Sequence, residues 1–490
     1  MTKLKLYNTL TKTAEEVNPI RENLGIYSCG PTVYDRAHIG NFRSFLFADF
    51  LVRTAKALGY QNPKWILNIT DVDDKTIKKS TNPQLWRSQF GERTESDKEN
   101  LKLLTSYYLD LFEKDIKKLG INTEDISVMP KATDYIEEMN SLINNIIDNG
   151  FAYVANGSVY FDTDKWRKSE NYGRLKRIVI EDMIDSDSES QTHKDEKKSP
   201  LDFVLWKSKK ENEPYWELIV NEEVLEGRPG WHLECSAMSN ATLGLPFDIH
   251  TGGIDLCFPH HEDELAQSHA AFGVDPVKIW CHNEFLDLDG EKMSKSTGNI
   301  WNLEDLEANG ISAQEYRYAI LAKHYRKKID FSIEDTKSLS KGRERIQDYV
   351  YDLFEVVEKD PETIESDFFL DQIDSLKVEV SSHLADDLNS PRALASVFVF
   401  IGNYPTDEYN VTSAKKMIEF FDWLNSVYNV WEINKKPELE FPQEVIELAE
   451  KRKEAKASKD WTLADELRNQ LTALGYSIKD SKDGFQLNKI

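Results

Sequence analysis

Short apolar runs alternate with long amphipathic stretches along the amino-terminal part of the chain. Leu24-Gly-Ile-Tyr-Ser28 reads as a strand. From Gly40 to about Leu58, Phe42, Phe45, Leu46 and Phe50 return at helical spacing. Lys64-Trp-Ile-Leu-Asn-Ile-Thr70 reads as a second strand, running into Asp71-Val-Asp-Asp-Lys75. Strand, long helix, strand predicts a parallel βαβ unit, and ligands on such sheets gather at the carboxyl ends of the strands. Cys29 and Thr70 both fall there.

The pattern is then interrupted. Leu101, Leu104, Tyr108, Leu111 and Phe112 mark one helix, and a second runs from about Asp134 to a stop at Gly150. Phe151-Ala-Tyr-Val and Ser158-Val-Tyr-Phe flank Ala155-Asn156-Gly157, a hairpin turn. Residues from about 181 to 198 are rich in Ser, Asp, Glu and Lys and predict a solvated, disordered loop. Strands then return over Pro246–His250 and Val277–Leu286, on either side of a helix from Pro259 to Ala271. After about Ser312 the pattern is nearly all helical, down to a linker around Asn434 to Pro442 and a small charged module. The expected organisation is α/β: a parallel-sheet domain in two halves, 1–118 and 227–311, split by an insertion at 119–226. An all-α domain at 312–433 and a small module at 434–490 follow.

Composition narrows this picture. No apolar run is long enough to span a bilayer, and the amino terminus lacks a hydrophobic signal region, so a cytosolic protein is expected. The 4 cysteines are too few and too scattered for a disulfide scaffold, which leaves burial, catalysis or metal binding. The net charge of −25 argues against broad electrostatic attachment to nucleic acid. Any RNA contact must use local basic runs, of which Lys323–Lys328, Lys341–Arg345 and Lys451–Lys456 are candidates. Each alone reads as an ordinary solvated helix face.

Two constellations carry chemistry. His260 and Glu264 follow Pro259 at a spacing that puts both on one helix face. With Cys29 and Cys235 they would make a tetrahedral zinc shell of two thiolates, one nitrogen and one oxygen. No CxxC pair is present; His261 is a rival ligand, and a lone HxxxE is more often a surface pair. The second constellation joins His38-Ile-Gly40-Asn41, at a helix start that presents free N–H groups to an anion, with Glu291-Lys292-Met293-Ser294-Lys295-Ser296. Two lysines among small hydroxyl residues suit a mobile cationic loop over a triphosphate. The latter is not a P-loop, since no GxxxxGK[ST] is present.

These motifs, in this order, resemble the class I aminoacyl-tRNA synthetases, and within them the cysteinyl-tRNA synthetases. The resemblance rests on Cys29-Gly-Pro-Thr-Val-Tyr, His38-Ile-Gly-Asn41, Asn68-Ile-Thr-Asp-Val-Asp-Asp-Lys75, Gly227-Arg-Pro-Gly-Trp-His-Leu-Glu-Cys-Ser-Ala-Met238, Phe258-Pro-His-His-Glu262 and Lys292-Met-Ser-Lys-Ser296, and it covers nearly the whole chain. It implies a Rossmann-like catalytic domain, a helical anticodon-side domain and a terminal anticodon-binding module. It implies one Zn(2+) per chain held by Cys29, Cys235, His260 and Glu264, with His260 favoured over His261. It implies that His38, Gly40, Asn41, Gly252, Asp255 and Lys295 meet ATP with its Mg(2+). His38, Asn41, Lys292 and Lys295 would act in catalysis, and Thr70 and Trp231 would line the pocket for substrate cysteine.

The implied reaction joins L-cysteine to tRNA(Cys) through a cysteinyl-adenylate. In-line attack at phosphorus needs positioning and charge stabilisation more than a protein nucleophile. A thiolate binds zinc well and a serine hydroxyl poorly, so no editing domain is expected. A monomer is expected rather than a homodimer. The chain departs from the family's pattern between Gly173 and Leu201, which is longer and more acidic, and at Trp216–Glu226, which replaces a shorter link. One rival is a cysteine ligase acting on an amino sugar, which should lack the helical carboxyl half; another is a non-catalytic zinc- and RNA-binding module, which should lack the phosphate motifs. Deleting the residues after Lys436 is expected to spare adenylate formation and weaken tRNA charging, measured by pyrophosphate exchange and aminoacylation. Equal loss of both activities would contradict the assignment.

Overall fold

Gly25–Ser28 is buried at every position, as a strand covered on both faces must be. In the computed structural model it lies inside a 4-stranded sheet ordered Val277–Asn283, Phe247–Gly253, Gly25–Ser28, Lys64–Leu67. All neighbours are parallel, with Ile26 paired to both Ile249 and Trp65. The carboxyl ends therefore lie side by side, and the turns beyond them carry Cys29, Asn68–Thr70 and Gly252–Asp255. The structure describes residues 2–176, 196–288, 290–293, 299–359, 368–437, 441–481 and 484–489.

The helix Ile39–Ala57 is apolar nearly all round because it is enclosed rather than half-exposed. Its buried Asp49 accepts from Arg53 at 2.9 Å and from the fully buried Arg317 at 2.5 Å. Arg317 lies on the helix Ala313–Leu321 and also donates to the carbonyls of Leu119 and Tyr428. Arg43, buried on the same first helix, donates to the carbonyls of Phe285, Tyr325 and Lys327. These bonds satisfy polar groups buried where the helix Ile39–Ala57 packs on Ala313–Leu321 and Val411–Tyr428; the helices Ile333–Lys359, Phe368–Ala385 and Ser390–Asn403 complete the helical part.

The insertion is a 5-stranded antiparallel sheet ordered Ala152–Ala155, Ser158–Phe161, Val204–Ser208, Glu223–Pro229, Trp216–Val220. Asn156 and Gly157, at φ 50 and 79, form the expected hairpin turn. Trp216–Glu226, which reads as a link in the sequence, is a second hairpin turning at Asn221 and Glu222. Its outer edge is not open: Asn140 and Asn144, one helical turn apart, donate to the carbonyls of Glu217 and Ile219. Most of the predicted 181–198 loop lies outside the described residues, but Glu196 accepts from the Tyr160 hydroxyl at 2.6 Å.

Two further differences have local causes. The strand expected over Val277–Leu286 breaks after Asn283, and Leu286–Leu288 pairs instead with Ile329–Phe331. That parallel partner is why the otherwise helical stretch after Ser312 contains a short strand. Among the described residues no helix is long and apolar enough to cross a membrane.

Contacts divide the chain into two units, Met1–Ile433 and Asn434–Ile490. The second packs the helices Gln443–Ala457 and Trp461–Ala473 with the hairpin Tyr476–Ser481 and Gly484–Lys489 around Val445, Ala449, Leu471 and Leu487. Trp461 lies outside this core, 59% exposed.

Replacing Asp49 by Ala would leave the fully buried Arg317 without its carboxylate and Arg53 with Asp125 alone, at 3.5 Å. A loss of about 3–5 kcal/mol is expected, read as a lower urea midpoint for the first unit. A midpoint unchanged from wild type would show that Asp49 does not hold these helices together.

Candidate active site

Three elements deliver the metal-capable side chains to one point. Cys29 is the first residue beyond the strand Gly25–Ser28, Cys235 lies on the helix Trp231–Leu243, and His260, His261 and Glu264 lie in the first turns of the helix His260–Phe272. Cys29 Sγ stands 3.9 Å from Cys235 Sγ, although 206 positions separate them. It is also 3.9 Å from Glu264 Oε1 and 3.2 Å from His261 Nε2. His260 Nε2 is 3.1 Å from Glu264 Oε1. One ligand atom from each of Cys29, His260, His261 and Glu264 fits within 4.8 Å of the others. All four cysteines are free thiols.

Charge in this pocket is arranged for a cation. The hydrogen bond with Cys29 brings the Cys235 thiol down to about 6 against the opposing effect of burial. Burial and the neighbouring Cys235 push Cys29 well up, so one proton serves the pair. Burial works against charge on Glu264, yet His250 and His260 hold its carboxyl at about 2. Burial likewise works against charge on His260, but Glu264 and Cys235 raise it to about 10. With no metal bound, an imidazolium proton offsets the anionic donors, and a cation could take its place.

A ring of histidines backs these groups. His250 Nε2 lies 2.9 Å from Glu264 Oε2, His232 Nδ1 3.0 Å from His260 Nδ1, and His282 Nε2 2.7 Å from His261 Nδ1. Sequence reasoning misses His232, His250 and His282, because each sits on a different element and no spacing relates them. Trp231 stacks on His260 with centroids 4.2 Å apart. Thr70 is buried behind Cys29, where its N–H donates to the Pro31 carbonyl. Gly30 allows this loop to close, since a Cβ there would overlap the Asn68 carbonyl. Gly252 makes room for a ring: a Cβ would come 2.6 Å from His261 Cε1. Asp255 lies in the turn just beyond, with its carboxylate against Gly253.

The aspartates of the second-strand motif are structural. Asp71 accepts from Thr133, Asp73 caps the helix Asp74–Thr81 through the Thr76 N–H, and Asp74 pairs with Arg228 and Lys207. Glu262 turns away from the cluster and takes the N–H groups of Gly173, Arg174 and Leu175.

His38 caps the helix Ile39–Ala57. Its Nδ1 accepts from the Asn41 N–H, and the Asn41 side-chain oxygen accepts from the His38 N–H. A Cβ on Gly40 would come 2.8 Å from Met293 Cε, so the methionine of the lysine-rich segment rests directly on this turn. The Ile39 N–H donates to the Trp301 carbonyl at 2.8 Å. The backbone of Lys292 lies in the short strand Glu291–Lys292, and Lys295 lies outside the described residues.

Residues 16–341 match the family described as tRNA synthetases class I (C) catalytic domain, and residues 439–487 match the cysteinyl-tRNA ligase anticodon binding domain. A Brachyspira hyodysenteriae protein named cysteine–tRNA ligase is 38% identical over 493 residues, 99% of each chain. The chain belongs to the cysteinyl-tRNA synthetases. A Chlamydia caviae protein of the same name is also 38% identical, over 100% of this chain and 98% of that one. A solved Mycobacterium tuberculosis methionyl-tRNA synthetase, in complex with methionyl-adenylate, superposes with a TM-score of 0.60 at 14% identity, covering 84% of this chain and 92% of its own. At that identity it supports the class I fold alone, and the parallel sheet with its helical carboxyl part agrees.

Of the basic runs, Arg326 is held by Asp387, Lys328 by Asp287, and both Arg452 and Lys456 by Asp480. A testable electrostatic consequence lies at Asp74. Burial opposes its charge, but Arg228 and Lys207 hold its carboxyl at about 2. The stability it contributes is thus present above the ordinary carboxyl range near 4 and lost as pH falls through about 2. Melting temperatures of wild type and Asp74→Asn should differ at neutral pH and converge between about pH 4 and 2. A difference independent of pH would contradict this.

Proposed function

We infer that this enzyme activates L-cysteine with ATP and transfers it to tRNA(Cys), and that Cys29, Cys235, His260 and Glu264 hold one zinc ion that selects the substrate thiol. The observation that carries the reading is the buried cluster of Cys29, His260 and Glu264 donor atoms at the sheet's carboxyl edge, with Cys235 Sγ 3.9 Å from Cys29 Sγ; the four donors that lie within 4.8 Å of one another take His261 rather than Cys235. That donor set fits Zn(2+), and a bound zinc would supply a soft Lewis acid for a thiolate. A serine hydroxyl is a poor ligand for such an ion, so the site can reject serine without a separate editing step.

Trp231 packs on the ring of His260 and so borders the cysteine pocket, with Thr70 behind Cys29 on its other side. The nucleotide belongs at the neighbouring turn. Because His38 Nδ1 accepts a backbone proton, its neutral ring carries hydrogen on Nε2, ready to donate to a phosphate oxygen. Asn41 holds that ring's backbone, and Gly40 keeps the approach open. Gly252 and Asp255 serve the adenylate, while Lys292 and Lys295 neutralise charge gathering on pyrophosphate, with Mg(2+) on ATP. The cysteine carboxylate attacks the α-phosphorus and pyrophosphate leaves. A ribose hydroxyl of the terminal adenosine then attacks the carbonyl, and AMP leaves.

The helical region 312–433 binds tRNA and the module 434–490 binds the anticodon, where an exposed Trp461 can stack on a base. The enzyme acts in the cytoplasm as a monomer.

Charging of a tRNA(Cys) transcript tests the reaction: acylation with cysteine is expected, and its absence would overturn the reading. Cys235→Ala and His260→Ala should each lose bound zinc and cysteine-dependent pyrophosphate exchange together. Full exchange in a metal-free variant would contradict the role of the ion. Gly40→Ala must displace Met293 or His38, and should lower exchange about 10- to 100-fold with zinc content unchanged. Wild-type exchange in that variant would remove Gly40 from the ATP site.

A further inference from the structure

We propose that Asp263, acting through His232, is the positioning residue that turns the His260 lone pair toward the metal, and that Tyr172 of the insertion holds Asp263 in place. This rests on the zinc reading above and extends it to residues beyond the ligand set.

The chain of contacts runs through buried groups. Asp263 is 1% exposed, His232 and His260 2% each. The Tyr172 hydroxyl donates to Asp263 Oδ1. The other carboxylate oxygen, Oδ2, stands 3.5 Å from His232 Nε2. His232 Nδ1 stands 3.0 Å from His260 Nδ1, and His260 Nε2 faces Glu264 Oε1 at 3.1 Å.

Proton placement follows from the carboxylate end. A neutral imidazole has one N–H and one lone pair. A lone pair on His232 Nε2 would face a carboxylate oxygen, so the hydrogen belongs there. The lone pair of His232 is then on Nδ1, and the only complementary partner is an N–H on His260 Nδ1. With Nδ1–H fixed in this way, the proton that His260 gives up to a metal is the one on Nε2, which faces Glu264 Oε1 at 3.1 Å, so the lone pair is offered on the side of Glu264 and Cys235. Orientation of a ligand imidazole by an outer carboxylate is a general way of fixing its tautomer; here a second histidine lies between them.

His261 is less firmly directed, with the Glu264 carboxylate 3.9 Å from its Nε2. Its Nδ1 meets His282 Nε2 at 2.7 Å, and His282 Nδ1 meets the Thr9 hydroxyl at 2.8 Å. A hydroxyl donates or accepts with equal ease, so nothing at that end sets the direction of the chain. His261 Nε2 lies 3.2 Å from Cys29 Sγ, a hydrogen-bonding contact that either tautomer can make. The two adjacent histidines thus divide the work: His260 as ligand, His261 as support for Cys29.

Tyr172 ties this polarity to the insertion. It immediately precedes the Gly173–Leu175 backbone that Glu262 grips with three N–H bonds, and Arg174 pairs with Asp275 beyond the same helix. The segment is therefore fixed against the metal-site helix rather than resting on it.

Zinc affinity of the full chain, measured by competition with a chromophoric chelator, tests the proposal without recourse to activity. Asp263→Leu is expected to weaken zinc binding about 10- to 100-fold. Asp263→Asn, whose amide oxygen still accepts from His232, should restore most of that loss, which a merely volume-filling role would not require. Tyr172→Phe removes one hydroxyl and should give a smaller loss, with the metal-free melting temperature unchanged. Wild-type affinity in Asp263→Leu, or an equal loss in Asp263→Asn, would overturn the role of Asp263, and wild-type affinity in Tyr172→Phe would overturn that of Tyr172. A wild-type chain that binds no zinc would instead overturn the metal reading itself.

Discussion

Donor atoms of Cys29, Cys235, His260 and Glu264 are crowded into one buried place, where their deprotonated forms would repel one another without a cation among them. Most of the catalytic architecture can be read as what that demand requires. Parallel pairing of Gly25–Ser28 with Phe247–Gly253 sets Cys29 beside the turn that leads to His260. The helices Trp231–Leu243 and His260–Phe272 are buried along most of their length, so Cys235 and Glu264 cannot turn to solvent. The surrounding histidines supply a polar enclosure that an apolar pocket could not, and Trp231 closes one side.

The same sheet edge places the phosphate turn next to the metal cluster without merging them. His38 and Asn41 cap a helix that is itself anchored by Asp49, Arg53 and Arg317. Movement of that helix would disturb both the nucleotide turn and the packing of the helical part behind it. Met293 on Gly40 adds a contact from the lysine-rich segment, so the two halves of the interrupted domain touch at the residues proposed to handle ATP.

What could be read in the sequence follows from how local each signal is. His260 and Glu264 share a helix face, so their proximity is a matter of helical period. The strand beginning at Gly25 and the helix from Ile39 announce themselves by apolar spacing. The meeting of Cys29 with Cys235 is different: 206 positions intervene, and strand order decides it. His250 and His282 give no periodic signal, and His232 stands unmarked inside the Gly227–Met238 motif, although His250 helps hold the Glu264 carboxyl ionised. The second insertion hairpin was hidden because Trp216–Glu226 is strongly acidic and lacks the usual Asn-Gly turn, while the Asn140 and Asn144 contacts that cover its edge come from a distant helix. The short strand Ile329–Phe331 exists only because Leu286–Leu288 offers it a partner.

The central claim is that substrate sulfur is recognised directly by the metal. X-ray absorption at the zinc edge, recorded on the zinc-loaded enzyme alone, with cysteine and with serine, tests it most directly. Sulfur scattering, two sulfurs per zinc from Cys29 and Cys235 in the enzyme alone, should rise by one sulfur per zinc when cysteine is added and stay unchanged with serine. An unchanged zinc spectrum with saturating cysteine would contradict the account.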